Sequence, residues 1–115
     1  MNKRTILSIN TSKTDIIQIF LDIDGNRTLK LKKTQNIGTS QITLPLIERT
    51  VIASRISIDN VSDIYVHIGP GSFTGLRVGA SVANALGYLL DIPVNGGTTS
   101  VVPDYQDVTG VLGNK

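Results

Sequence analysis

One stretch of eleven residues constrains the fold of this chain more than any other part of the sequence. Residues 69–79 read Gly-Pro-Gly-Ser-Phe-Thr-Gly-Leu-Arg-Val-Gly, with four glycines and a proline. An apolar run over residues 64–68 precedes it, and a segment with helical periodicity over residues 76–90 follows it. Glycine allows close backbone approach, and proline sets one bend. The pattern predicts a strand, a tight turn and a helix that Ser72 or Thr74 can cap.

A helix that begins behind a glycine-rich turn can bind an anion. This stretch, however, matches neither common phosphate-binding motif. A P-loop ends in Gly-Lys followed by Ser or Thr, and no lysine occurs within residues 69–79. Glycines at 69, 71, 75 and 79 also do not fit the Gly-x-Gly-x-x-Gly dinucleotide fingerprint. Close packing of strand against helix is the more common explanation, and anion binding stays open.

The composition indicates one globular domain and excludes several kinds of site. Of the 115 residues, 40% are hydrophobic and 17% are charged, which is typical of a folded domain. The sequence has no cysteine and one histidine, His67, so disulfides, thiolate sites and paired histidine ligands are excluded. A net charge of +2 with few aromatic residues does not favour tRNA binding by this chain alone. We recognise no signal peptide or membrane span, and therefore expect a cytoplasmic location.

Hydrophobic periodicity predicts an α/β domain with the order βββαβαβ. Three early strands joined by short turns form an antiparallel meander, and the later strands lie parallel because helices connect them. The result is a mixed five-stranded sheet over residues 1–100, followed by an irregular tail over residues 101–115. The first helix is expected to begin near Thr43 and end near Ser57, because Pro45 is tolerated only in the first turn. The fifth strand is expected over residues 91–94.

Both predicted helices have more apolar surface than a single sheet contact needs. On the second helix small residues recur at every fourth position, namely Gly75, Gly79, Ala83 and Gly87. Such a row lets another helix approach closely. Two explanations remain open at this point: the two helices cover each other, or they form a protein–protein interface.

As a whole string, residues 69–79 resemble the Gly-Pro-Gly-Ser-Phe-Thr-Gly-(Leu/Val)-Arg-(Ile/Val)-Gly signature of the TsaB (YeaZ) family. The family comprises accessory subunits of the bacterial machinery that places threonylcarbamoyl on an anticodon-loop adenosine of tRNA. Residues 40–47 are similar to the family's first-helix start, and residues 90–94 to its Leu-Gly-Ile-Pro motif. The resemblance covers about residues 5–100, and a typical member continues into a second, similar domain.

The resemblance implies a ribonuclease H-like domain of the actin/Hsp70/sugar-kinase type. It also implies a non-catalytic scaffold subunit that pairs, through its two helices, with the TsaD-type catalytic subunit or with itself. Contact with tRNA would then occur only through the complex, with no role for a membrane. The implied interface residues are Pro45, Leu46, Ile52, Ile56, Gly75, Gly79, Ala83, Leu86 and Gly87.

The signature turn itself comprises Gly69, Pro70, Gly71, Ser72, Phe73, Thr74 and Arg77. We expect Arg77 to form an interface ion pair or to bond the carbonyl groups of the turn. Substitutions such as Gly79→Leu or Ala83→Arg are expected to abolish pairing and to leave the fold largely intact.

The alternative function is a nucleotide-binding or ATP-hydrolysing fragment of an actin/Hsp70-like enzyme, and a third is a homodimer without a catalytic partner. In the enzyme hypothesis, residues 10–12 and the glycine turn would hold phosphate groups. Asn10 stands where the family usually has Asp, and Thr39 where it usually has His, so a carboxylate and an imidazole are missing. Asp22 and Asp24 suit a turn better than a cation site. We therefore expect no catalytic or metal-binding residue and no cofactor in the isolated chain, and ATP or ADP with Mg²⁺ only at the level of the complex.

Overall fold

The computed structural model describes residues 4–13, 15–33 and 39–104. From residue 105 onward the predicted tail lies outside these ranges. Within the described ranges, no helix combines the length and apolar character that crossing a bilayer would require.

Four strands form one mixed sheet, in the spatial order β3-β2-β1-β4. Strand β1 (Thr5–Asn10) pairs antiparallel with β2 (Ile16–Ile23) and parallel with β4 (Asp63–Val66). Strand β3 (Asn26–Lys33) pairs antiparallel with β2 at one edge. The predicted antiparallel meander followed by a parallel strand is confirmed.

A tight hairpin joins β2 to β3. Its two central residues, Asp24 and Gly25, have φ angles of 53° and 92°. Two positive φ angles are typical of a type I′ turn, which Asp-Gly favours and which matches the twist of the flanking strands. The Asp-Gly pair thus explains both the turn and the position of Asp24.

Two long helices follow, α1 (Thr39–Ala53) and α2 (Phe73–Leu90), with a short 3₁₀ turn at Ile58–Asn60 between them. The predicted boundaries of α1 are wrong, because the helix begins at Thr39 and carries Pro45 in its interior. Proline has no N–H to bond the carbonyl group of Gln41, four residues earlier. Gln41 is exposed, so water can satisfy that carbonyl group and the helix can continue through the proline.

Both helices pack on the same face of the sheet. Alternate residues of β1, β2 and β4 point toward them and are almost fully buried, namely Leu7, Ile9, Ile17, Ile19, Leu21, Ile64 and Val66. From the helices, Ile47, Val51, Leu76 and Ala83 complete this core. The opposite face of the sheet leaves Leu29 and Tyr65 exposed.

The predicted fifth strand is reduced to a single bridge, so the five-stranded sheet is wrong. Val94 bridges Ile64 in parallel, and the chain then reverses at Asn95 and Gly96, whose φ angles are 52° and 80°. Val94 and Gly97 exchange two backbone hydrogen bonds of 3.0 and 3.1 Å across this turn. An Asn-Gly pair favours such a reversal so strongly that the strand ends after one bridge.

Candidate functional site

The glycine turn, residues 69–75, packs directly against the loop that follows β1. The amide of Ser72 donates to the carbonyl oxygen of Ser12 at 2.6 Å. The hydroxyl of Thr11, which is completely buried, donates to the carbonyl oxygen of Gly75 at 2.5 Å. The turn is therefore held by backbone and side-chain bonds to an adjacent loop of the same chain.

Two glycines of the turn are required by this close approach. A Cβ atom at Gly71 would lie 2.8 Å from the carbonyl oxygen of Ser12. A Cβ atom at Gly75 would overlap the carbonyl oxygen of Thr11. Any side chain at either position would push the two loops apart, since backbone atoms cannot yield as a flexible side chain can.

The start of α2 is capped as the sequence predicts. The hydroxyl oxygen of Ser72 accepts a hydrogen bond from the amide of Gly75 at 3.2 Å. Next to it, the Nε2 atom of His67 donates to the carbonyl oxygen of Pro70 at 2.8 Å. The guanidinium group of Arg77 lies over the ring of Phe73, 5.5 Å from its centroid. The imidazole of His67 thus bonds to the backbone of the turn.

The loop over residues 10–12 is held by hydrogen bonds of its own side chains. Asn10 Oδ1 accepts hydrogen bonds from the amide and the hydroxyl of Ser12, at 3.0 and 2.6 Å. Its Nδ2 atom donates to Gln18 Oε1 at 3.3 Å. The Thr11 hydroxyl and the Ser72 amide each donate to a backbone carbonyl oxygen of the two loops, namely that of Gly75 and that of Ser12. This is the arrangement expected of turn residues.

The two aspartates of the β2–β3 hairpin have different surroundings. Asp22 Oδ2 accepts from Arg27 Nε and forms an ion pair with Arg27 Nη2, both at 2.9 Å. Asp24 occupies the hairpin turn. Over the described ranges, the structure contains no group of three or more His, Cys, Asp or Glu residues arranged to hold a metal ion.

The row of small residues on α2 faces into the chain. Gly75, Gly79, Ala83 and Gly87 are all buried. A Cβ atom at Gly79 would overlap the hydroxyl of Thr11, and one at Gly87 would overlap a methyl group of Val94. The row therefore allows close packing against parts of the same chain rather than against a second helix. This burial is incompatible with the expectation that Gly79→Leu or Ala83→Arg would leave the fold intact.

Four of the other predicted interface residues meet in one groove on the surface. Pro45, Ile52, Ile56 and Leu86 line an apolar groove between α1, the following loop and α2, with a volume of about 520 Å³. We call it the two-helix groove. Ile52 is 66% exposed, whereas Leu46 belongs to the core beneath. Whether a partner binds in this groove stays a prediction.

Sequence reasoning missed two asparagines that each bond both the N–H and the carbonyl oxygen of one distant residue. The side-chain amide of Asn95 pairs with both the N–H and the carbonyl oxygen of Val66, at 2.8 and 3.1 Å. Asn84 does the same to Val101, at 2.9 and 2.8 Å. The Asn-Gly pair at residues 95–96 indicates a turn, but no local signal indicates where either amide would point.

Comparison with known proteins identifies relatives of the family that the signature turn indicated. A family model described as TsaD, tRNA N6-adenosine threonylcarbamoyltransferase, matches residues 38–98, more than half of the chain. The tRNA threonylcarbamoyladenosine biosynthesis protein TsaB of Haemophilus influenzae is 35% identical over 94 residues, covering 82% of this chain and 39% of the relative. The TsaB protein of Escherichia coli is 30% identical over 94 residues, which cover 82% of this chain and 40% of that relative.

A solved structure shows the same architecture. YeaZ from Pseudomonas aeruginosa superimposes with a TM-score of 0.71 at 26% identity, covering 79% of this chain and 42% of that one. The chain thus spans about two fifths of the length of the relatives that it matches. Taken together, the intact signature turn, the matching family model and these relatives show that the chain belongs to the TsaB (YeaZ) family.

Proposed function

We propose that this chain is an accessory subunit in the biosynthesis of threonylcarbamoyladenosine in the tRNA anticodon loop, and that it acts as a scaffold without chemistry of its own. The names of its TsaB relatives support this role. The observation that carries the scaffold proposal is the two-helix groove, which is apolar and open to solvent. The glycine turn and the loop after β1, by contrast, are hydrogen-bonded to each other. The domain is of the ribonuclease H-like, actin-type class in this proposal.

The partner that we propose for the groove is the TsaD-type protein of the same organism. Leu44 and Ile52 stand on one side of the groove with 51% and 66% of their surface exposed, and Leu86 of α2 lies on the other side. Burying a fully exposed side chain of this kind contributes about 1.5–3 kcal/mol, and these partly exposed ones would contribute roughly half as much each. Covering all three would offset part of the cost of association. Contact with tRNA would follow through the complex.

The direct test is light scattering coupled to size-exclusion chromatography, with the chain alone and mixed with the TsaD-type protein. We expect a mixed dimer for the unmodified chain. In Ile52→Glu, a carboxylate would have to be buried in the apolar groove, so affinity should fall by about 100-fold or more. A titration of each variant against the partner gives the dissociation constants.

The matched control is Tyr88→Glu, which places the same charge on α2 at a residue that is 87% exposed. Residues two apart on a helix point in nearly opposite directions, so Tyr88 faces away from Leu86 and the groove. Its affinity should match that of the unmodified chain. Equal affinity of the Ile52 and Tyr88 variants would exclude the groove as the binding surface. A homodimer that ignores the TsaD-type protein would assign the groove to self-association instead.

We also expect the isolated chain not to bind ATP with Mg²⁺. The hydroxyl of Thr11 and the amides of Ser12 and Ser72 already have partners within the two loops. A phosphate group would have to break these bonds before it could form its own. Isothermal titration with ATP and Mg²⁺ should show no binding heat up to millimolar nucleotide. Stoichiometric binding by the chain alone would favour the nucleotide-enzyme hypothesis over the scaffold.

A further inference from the structure

The bonds of Asn95 replace those of a missing strand. At the outer edge of β4, the amide of Ile64 donates to Pro93 and its carbonyl oxygen accepts from the amide of Asn95, at 3.0 and 2.8 Å. A parallel strand would continue by bonding the N–H and the carbonyl oxygen of Val66 to the carbonyl oxygen of residue 95 and the amide of residue 97. The side-chain amide of Asn95 takes that place, because its Oδ1 accepts from the Val66 amide and its Nδ2 donates to the Val66 carbonyl oxygen.

The chain that follows is fastened at two further points. Asn84, in the middle of α2, binds the N–H and the carbonyl oxygen of Val101. The amide of Asp104 then donates to the carbonyl oxygen of Ile68 at 2.7 Å. Residues 95–104 therefore run from the end of β4 to α2 and back to the residue before the glycine turn. We call this segment the clasp.

We propose that the clasp sets the position of the glycine turn relative to α2, and that Asn84 and Asn95 are the positioning residues that hold it. His67 lies between Val66 and Ile68, two of the residues to which the clasp bonds. Its amide donates to the carbonyl oxygen of Ile9 at 2.9 Å, and its ring donates to the carbonyl oxygen of Pro70. The clasp thus bonds to both chain neighbours of His67, the residue whose ring bonds to the glycine turn.

The consequence for function rests on the proposed accessory role. The turn and the start of α2 share residues 73–75, and α2 supplies one wall of the two-helix groove. A shift of the turn would therefore tilt α2 against α1 and alter the groove. Loss of the clasp should weaken partner binding although neither asparagine lies in the groove.

The variants that test this proposal are Asn95→Gly and Asn84→Ala. Glycine tolerates the φ angle of 52° at position 95, so Asn95→Gly removes the amide and leaves the turn unstrained. Alanine is a good helix former, so Asn84→Ala should not disturb α2 itself. The control is Asn60→Ala, which removes an amide oxygen that accepts from the Ser57 amide at 2.9 Å, in the exposed 3₁₀ turn.

The measurement is hydrogen–deuterium exchange of the whole chain, with exchange in β2 as the reference for global unfolding. We expect amides over residues 66–75 to exchange about tenfold faster in each clasp variant, at unchanged β2 protection. In the double variant the acceleration should stay well below the product of the two single effects, because either change frees the same segment. Affinity for the TsaD-type protein should fall about tenfold in the same variants. Asn60→Ala should change neither.

Two results would overturn the proposal: unchanged exchange over residues 66–75 in both single variants, or effects that multiply in the double variant as for two unrelated contacts. Faster exchange with unaltered partner affinity would refute its consequence for binding. If the unmodified chain does not bind the TsaD-type protein, the proposed function fails, and the exchange measurements still decide whether the clasp positions the turn.

Discussion

Gly75→Ala is expected to lower the free energy of unfolding by about 3 kcal/mol, although the same change in an ordinary helix is stabilising. The added Cβ atom would overlap the carbonyl oxygen of Thr11. To relieve the overlap, α2 would have to move away from the loop after β1, which would lengthen the buried bond from Thr11 to the carbonyl oxygen of Gly75. Thermal and urea unfolding followed by circular dichroism measure the loss.

The control for this prediction is Ser81→Ala, on the exposed side of the same helix. It replaces a weaker helix former with the best one and touches no neighbouring element, so stability should stay equal or rise by about 0.5 kcal/mol. If Gly75→Ala proved as stable as Ser81→Ala, the tight contact between the glycine turn and Thr11 would be refuted.

Local sequence signals were sufficient for much of the fold. The Asp-Gly pair specifies a hairpin through its positive φ angles, and alternation in β1 and β2 specifies which residues enter the core. Ser72 before a periodic segment specifies the start of α2. Each of these features depends on neighbours within a few residues, which is why they could be read without the structure.

Features that depend on distant neighbours were predicted poorly. Helical periodicity shows that Gly75, Gly79 and Ala83 share a face, but not what lies opposite that face. A row that suits a partner helix suits the loop after β1 equally well, and here the loop occupies it. The fifth strand failed for a different and local reason, because the turn at Asn95 and Gly96 reverses the chain and ends the ladder after one bridge.

The candidate surface was predicted in part. The sequence indicated that the two helices have more apolar side chains than the core needs. Four of these side chains meet in the two-helix groove, namely Pro45, Ile52, Ile56 and Leu86. Leu46 satisfies the same pattern but lies in the core. Periodicity finds apolar side chains, and only the packing of α1 against the sheet decides which of them stay exposed.

The largest effect is expected for Ala83→Arg, which should leave no stable folded state. Ala83 has no exposed surface and belongs to the core between α2 and the sheet. An arginine there must bury an unpaired charge or force the helix away, at a cost of more than about 5 kcal/mol. A domain of this size has a total stability of only about 5–15 kcal/mol. Circular dichroism and limited proteolysis should show an unfolded chain.

The matched control is Ala85→Arg, two residues along the same helix but exposed. Arginine is a good helix former, and its charge would remain in water, so the variant should fold with an unchanged melting temperature. A folded Ala83→Arg chain would contradict the assignment of the small-residue row to the core. Because unfolding alone would abolish association in Ala83→Arg, a loss of partner binding in that variant says nothing about an interface. Only variants that stay folded, such as Ile52→Glu and Tyr88→Glu, can locate the binding surface.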